Sequence, residues 1–142
     1  VSQFDNLLGQ WLGYPSTTCV HQPTCGQSLV TEANGDVYAC DHFVYPEYKM
    51  GNLTQQPLTE IVLSNKQQQF GLEKSQKLTA LCRRCEFRKL CYGGCPKHRF
   101  ISLENEPNPH NYLCASYRYF FEQTASYMQA MARQIRLHPS AA

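Results

Sequence analysis

Cys82-Arg83-Arg84-Cys85-Glu86-Phe87-Arg88-Lys89-Leu90-Cys91-Tyr92-Gly93-Gly94-Cys95 spaces its cysteines as C-x2-C-x5-C-x3-C. So short and cysteine-dense a segment holds too few apolar side chains to pack a core by itself. Bound metal would replace the missing hydrophobic stabilisation. Upstream, Cys19, Cys25 and Cys40 fall in a C-x5-C-x9-G-x4-C pattern that includes Gly35, and Cys114 follows downstream. Thiolates are soft ligands that suit zinc or iron–sulfur clusters, and about four close one site. The chain's 8 cysteines therefore complete two sites with none left over. Disulfides are the weaker reading, because tight knuckles wrap metals more often than they form bridges and no secretory segment precedes them. Between zinc and iron–sulfur, spacing alone leaves the choice open.

The composition sets the frame. At 142 residues, 42% hydrophobic and 12% aromatic, the chain is long enough for one globular domain with a modest core. A net charge of +2 gives no polyanion signal, and no apolar run is long enough to span a bilayer. The sequence opens at Val1, without methionine and inside a helical pattern. We therefore expect an excised C-terminal piece of a longer protein.

Around the knuckle, apolar residues Phe4, Leu7, Leu8, Trp11 and Leu12 recur with helical period, ended by Gly13 and Pro15. Ser28–Cys40 reads as a hairpin in which Leu29, Val30 and Thr31 face Val37, Tyr38 and Ala39. Asn34-Gly35 is its type I′ turn, and the turn brings Cys25 near Cys40. The run from Asp41 to Tyr48 is aromatic and irregular. A helix is predicted from near Pro57, and another short helical piece lies within Phe70–Leu81. The longest element starts at about Asn111, where Leu113, Tyr117, Phe120, Phe121, Met128, Met131 and Ile135 form an amphipathic stripe ending before His138-Pro139. The expected fold is small α+β and cysteine/metal-rich, with a β-hairpin, a cysteine knuckle and helices around two cluster sites.

Cys25, Gly35, Cys40, Cys82, Cys85, Cys91, Cys95 and Cys114 resemble the SPASM domain, a C-terminal extension of certain radical S-adenosylmethionine enzymes. Trp11-Leu12-Gly13-Tyr14-Pro15, Cys40-Asp41-His42-Phe43-Val44-Tyr45-Pro46-Glu47-Tyr48 and Gly51-Asn52-Leu53 look like the anaerobic sulfatase-maturating enzymes in particular. The likeness runs from about Phe4 into the last helix. It implies two [4Fe–4S] clusters, although zinc or empty thiols are expected in an aerobically prepared fragment. One cluster would be held by Cys19, Cys25, Cys40 and Cys95, the other by Cys82, Cys85, Cys91 and Cys114. Full cysteine ligation leaves no open iron and suits electron transfer. Asp41 would be the base that takes the proton from the substrate's cysteine or serine.

The resemblance further implies a cytoplasmic enzyme that oxidises a sulfatase cysteine or serine to Cα-formylglycine. Its partners would be its own N-terminal radical S-adenosylmethionine domain, the sulfatase polypeptide and an electron donor, with no nucleic acid and no membrane. S-adenosylmethionine and a third [4Fe–4S] cluster would belong to that N-terminal domain, since the sequence contains no C-x3-C-x2-C and is predicted inactive alone. Residues 1–18 would be a helix and linker from that domain, 19–135 the auxiliary-cluster domain and 136–142 a flexible tail. The alternatives are a zinc-stabilised peptide-binding module, or the SPASM domain of a maturase for another peptide.

Among the remaining residues, His42 and His98 are read as structural neighbours of cysteine segments. His21 is placed near the first cluster, and His110 and His138 carry no signal. The Arg83-Arg84 and Arg88-Lys89 cations compensate cluster charge, and Tyr45 and Tyr48 are candidates to line a peptide channel.

Overall fold

The structure, a computed structural model, describes residues 1–138. In chain order the helices are α1 (Ser2–Leu12), α2 (Leu58–Val62), α3 (Asn65–Gln76), α4 (Ala80–Arg84), α5 (Arg88–Cys91) and α6 (Cys114–Leu137). The strands are β1 (Val30–Thr31), β2 (Asp36–Tyr38), β3 (Lys49–Asn52), β4 (Arg99–Ile101) and β5 (His110–Asn111). They divide into two compact units, one of Val1–Gln22 with the residues from Thr79 onward, the other Pro23–Leu78. The α+β class expected from the sequence is what forms. No helix among the described residues is long and apolar enough to cross a membrane.

In the first unit, α1 packs along α6, with Phe4 and Phe120 ring centroids 5.6 Å apart. Leu7, Phe87, Phe121 and Met128 form the buried core, with Trp11, Leu90 and Tyr117 packed against it. Phe87 belongs to the knuckle itself and lies 5.6 Å from Phe121, so the cysteine segment sends an aromatic ring into the core, with Leu90 packed beside it. The buried face of α6 is Phe121, Met128 and Ala132. Met131, expected in the stripe, is exposed, because the helix turns it away from α1. Arg136 and Leu137 end α6, and 139–142 of the expected tail lie outside the described residues.

The second unit is built on a three-stranded antiparallel sheet of order β1-β2-β3. Val30 pairs with Tyr38 and Thr31 with Val37, the register read from the sequence. The turn differs. Glu32 N–H donates to Asp36 O and Gly35 N–H to Glu32 O, both at 2.9 Å, and Gly35 has φ 84 while Asn34 is not left-handed. This is a three-residue loop closed by a left-handed glycine, whereas a type I′ turn needs positive φ at both central residues. β3, to which the sequence reading assigned no element, pairs Asp36 with Asn52 and Val37 with Gly51. Asp36 ties it down, accepting from Asn52 Nδ2 at 2.7 Å and pairing with the Lys49 ammonium. Val37, Ala39, Met50 and Ile61 form the core beneath.

The helix expected within Phe70–Leu81 is two helices. α3 starts earlier, where Ser64 Oγ accepts the Gln67 N–H at 3.2 Å, and α4 starts at a Thr79 cap.

Candidate metal centre

In the first unit the knuckle is folded from two helical turns and a left-handed loop. Cys82 lies in α4, Cys85 directly follows it, Cys91 ends α5 and Cys114 begins α6. Their side chains line one cavity of about 270 Å³, together with His110 and Arg118. Burial pushes the Cys91 thiol up to about 11, while the Gly93 and Gly94 amides pull it down and the Cys82 and Cys114 sulfurs push it further up. Cys114 is raised by burial and then by Cys82 and Cys85. Burial and neighbouring sulfurs that raise the Cys91 and Cys114 thiols mark a site short of positive charge. A metal relieves that by binding the thiolates.

Three consecutive residues, Tyr92 (φ 48), Gly93 (φ 71) and Gly94 (φ 62), turn the chain back from Cys91 to Cys95. This loop aims the Gly93 and Gly94 amides at the Cys91 sulfur. It is clamped from outside by the β4–β5 pair. Arg99 Nη2 donates to Tyr92 O at 3.0 Å and Gly94 O at 3.3 Å, and its Nε donates to Gly93 O. Asn111 Nδ2 donates to Gly93 O at 3.0 Å and Cys95 O at 3.3 Å, while its Oδ1 accepts the Leu113 N–H at 2.8 Å. One side chain thus holds the glycine loop and sets the start of α6, which carries Cys114. A Cβ on Gly94 would sit 2.6 Å from Asn111 Nδ2 and 2.9 Å from Tyr117 Cε2, so only glycine fits there without displacing the clamp.

Cys19 and Cys95 also belong to the first unit. Cys19 is exposed and opens a single 3-10 turn, Cys19–His21, that lies against α5. The turn is approached through buried Asn6, whose Oδ1 accepts from Thr17 N at 2.7 Å and from the Ser16 hydroxyl at 3.1 Å. His21 is 2% exposed and packs edge-on against Tyr117 and Phe121, so its ring sits in the unit's core. His98 packs edge-on against Tyr112, and His138 lies just past α6.

In the second unit, Cys25 and Cys40 are brought near each other by α3. Cys25 N–H donates to Gly71 O at 3.1 Å, and a Cβ on Gly71 would meet Cys25 O at 2.7 Å. Gln67 Nε2, one turn earlier, donates to Gly26 O at 2.7 Å and to Ala39 O at 3.4 Å, joining the two cysteine segments through one amide. Gln67 is 4% exposed. Gln67→Ala leaves two carbonyls without this donor and is expected to destabilise the unit by about 1–3 kcal/mol. Urea unfolding would measure this, with hydrogen exchange showing the loss around Cys25 and Cys40.

Burial pushes the Cys40 thiol up to about 12, the Asp41 carboxylate and Cys25 adding to it and the His42 amide opposing it. The Cys40 thiol donates to Asp41 Oδ1 at 3.1 Å. That bond, and then His42, hold the exposed Asp41 below the usual carboxylate value. Cys40, Asp41 and His42 place their ligand-type atoms within 4.8 Å of one another. Tyr48 is part of an aromatic cluster with Phe43 and Phe70, at 4.8 and 5.7 Å, whereas Tyr45 is exposed.

The structure thus gathers Cys82, Cys85, Cys91 and Cys114 in one unit, and Cys25, Cys40 and Asp41 in the other. Arg99, Asn111, Gln67 and His110 were not singled out by their sequence positions. Asn111-x2-Cys114 is the one local hint, since it puts an amide one turn ahead of a ligand-type cysteine.

Residues 19–86 match the SPASM family profile, described as an iron–sulfur cluster-binding domain. The chain is 44% identical over 133 residues to the serine-type anaerobic sulfatase-maturating enzyme of Bacteroides thetaiotaomicron, covering 93% of this chain and 32% of that protein. It is 34% identical over 136 residues to the cysteine-type enzyme of Clostridium perfringens, covering 96% of this chain and 36% of that one. A solved structure of native anSMEcpe with bound AdoMet and Kp18Cys peptide superposes with TM-score 0.78 at 34% identity, over 94% of this chain and 36% of that one. The chain spans about a third of the length of the curated relatives it matches.

Proposed function

The chain belongs to the SPASM iron–sulfur family, in the branch found in anaerobic sulfatase-maturating enzymes, and from that premise we propose that it holds two [4Fe–4S] clusters within a radical S-adenosylmethionine enzyme. The reaction proposed for the whole enzyme is oxidation of a sulfatase cysteine or serine to Cα-formylglycine, with an external electron donor. The observation that carries the reading is the cavity lined by Cys82, Cys85, Cys91 and Cys114, in which burial and then neighbouring sulfurs hold the Cys91 and Cys114 thiols above their ordinary pKa. A four-thiolate donor set with two amides turned toward one sulfur fits an iron–sulfur cluster.

Cys19, Cys25, Cys40 and Cys95 would hold the second cluster. When bound, clusters with four cysteine ligands supply one-electron acceptors with no iron open to substrate. The rest of the enzyme would supply S-adenosylmethionine, a third cluster and the radical that removes hydrogen from the substrate Cβ. Asp41 would take the proton from the substrate thiol or hydroxyl, and its exposure supports that role. Without a C-x3-C-x2-C, the chain by itself is proposed to be inactive. Eight cysteines kept as cluster ligands rather than disulfides would need a reducing compartment, so a cytoplasmic location is part of the proposal.

Anaerobic reconstitution tests the metal assignment. About eight irons per chain are expected for two cubane clusters. About two zinc ions per chain after strictly anaerobic handling would instead favour a zinc-stabilised module.

A further inference from the structure

His110 lies on β5, four residues before Cys114, and is 7% exposed. Its Nδ1 is 3.0 Å from Thr79 Oγ1 and 3.7 Å from the Cys82 sulfur, and the ring lines the same cavity as the four cysteines. Thr79 is already fixed, because its hydroxyl caps α4 by accepting the Cys82 N–H at 3.3 Å. One hydroxyl therefore holds both the imidazole and the backbone of the cysteine that the imidazole faces. We infer that His110 is a positioning residue of the Cys82, Cys85, Cys91 and Cys114 centre, sharing its Nδ1–H between Thr79 Oγ1 and the Cys82 sulfur and thereby setting the centre's reduction potential. The inference rests on the cluster reading above.

The tautomer follows from the acceptor. A ligating thiolate has lone pairs and no proton, so an imidazole nitrogen facing it is favourable only as an N–H donor. An N–H directed at a ligand sulfur withdraws charge from it. That stabilises the more negative, reduced state of the centre, so the donor raises the potential and its loss lowers it. A histidine that merely fills the core beside Thr79 would leave the potential unmoved.

The two ring nitrogens are separated by substitution. In His110→Asn an amide nitrogen can occupy the Nδ1 position, whereas in His110→Gln it reaches the Nε2 position and leaves Cys82 without a donor. The iron-loaded full-length enzyme and its Asn, Gln and Ala variants are titrated redox-potentiometrically with electron paramagnetic resonance detection, after iron counting. The expected result is unchanged iron and, in the Gln and Ala variants, about a tenfold fall in the reduction equilibrium constant of one centre, ~59 mV for one electron. The Asn variant should stay near wild type. If the Ala variant loses iron, the Asn and Gln pair decides: equal potentials, or equal loss of iron, overturns the inference. Failure of the wild-type enzyme to take up any iron–sulfur cluster overturns the cluster reading itself, which distinguishes the two.

Discussion

Asp41→Asn in the full-length enzyme is expected to lower formylglycine formation by about 10²–10⁴-fold, the usual effect of losing a positioned general base. At about 1.4 kcal/mol per decade this is roughly 3–5.5 kcal/mol of barrier. Asparagine keeps the size and hydrogen bonding of the side chain but cannot accept a proton, so the change separates chemistry from packing. Asp41 is exposed in a single 3-10 turn directly after Cys40, and its carboxylate is ionised, held below its ordinary pKa first by the Cys40 thiol and then by His42. In the free chain that thiol occupies Asp41 Oδ1 at 3.1 Å. A ligating Cys40 is a thiolate with no proton to give, which leaves the carboxylate oxygen to a substrate. Cleavage of S-adenosylmethionine in the absence of peptide should persist in the variant, because the radical is made outside these residues. Maturation of a sulfatase peptide at the wild-type rate would sink the assignment. A variant that also loses iron would show Asp41 to be a structural neighbour of Cys40.

What could be read in advance depended on which side chains each element turns inward. α1 and the body of α6 were legible because apolar side chains recur at helical spacing on their inward faces, with Leu7 buried in one and Phe121 and Met128 in the other. α3 was legible only in its second half, as the helical piece expected within Phe70–Leu81, because its buried positions are Gln67, Gly71 and Lys74, one face at helical spacing made of polar and small residues. Those residues face inward because Gly71 lets the Cys25 backbone approach and Gln67 bridges two carbonyls, roles that leave no hydrophobic period. β3 escaped notice for a related reason. Only Met50 is buried in it, and Gly51 is bare because Gln56 and Ile61 would strike a Cβ there at 2.2 and 2.9 Å.

The hairpin register was legible from its apolar residues, whereas its turn depended on backbone angles that Asn34-Gly35 does not dictate. At the metal centre the cysteines were evident at once, because thiols at these spacings have few other uses. The clamp around them was not. Arg99, Asn111 and His110 are ordinary residues made specific by β4 and β5, a pairing between short segments with no alternation to reveal it.

Replacing Cys95 or Cys114 by alanine should each reduce iron from about eight to about four per chain, but should loosen different parts of the molecule. The loss is large because ligand binding is folding free energy here, on the order of 10 kcal/mol for a structural thiolate site. Apart from the Arg99 and Asn111 clamp, the knuckle puts only the Phe87 side chain fully into the first unit's core, with Leu90 packed against it. Cys114 starts α6, so Cys114→Ala should raise hydrogen exchange in α4, α5 and the first turns of α6. It should leave the β1–β2 hairpin as protected as in the parent. Cys95 lies in the same unit as Cys114, yet the proposed ligation ties it to Cys25 and Cys40, which flank that hairpin. Cys95→Ala should therefore raise exchange at Val30, Thr31, Val37 and Tyr38 while Cys82 to Cys91 keeps its protection. The contrast arises only if the ligands interleave. A sequential arrangement, with Cys82, Cys85, Cys91 and Cys95 around one centre, predicts that Cys95→Ala deprotects the knuckle and spares the hairpin.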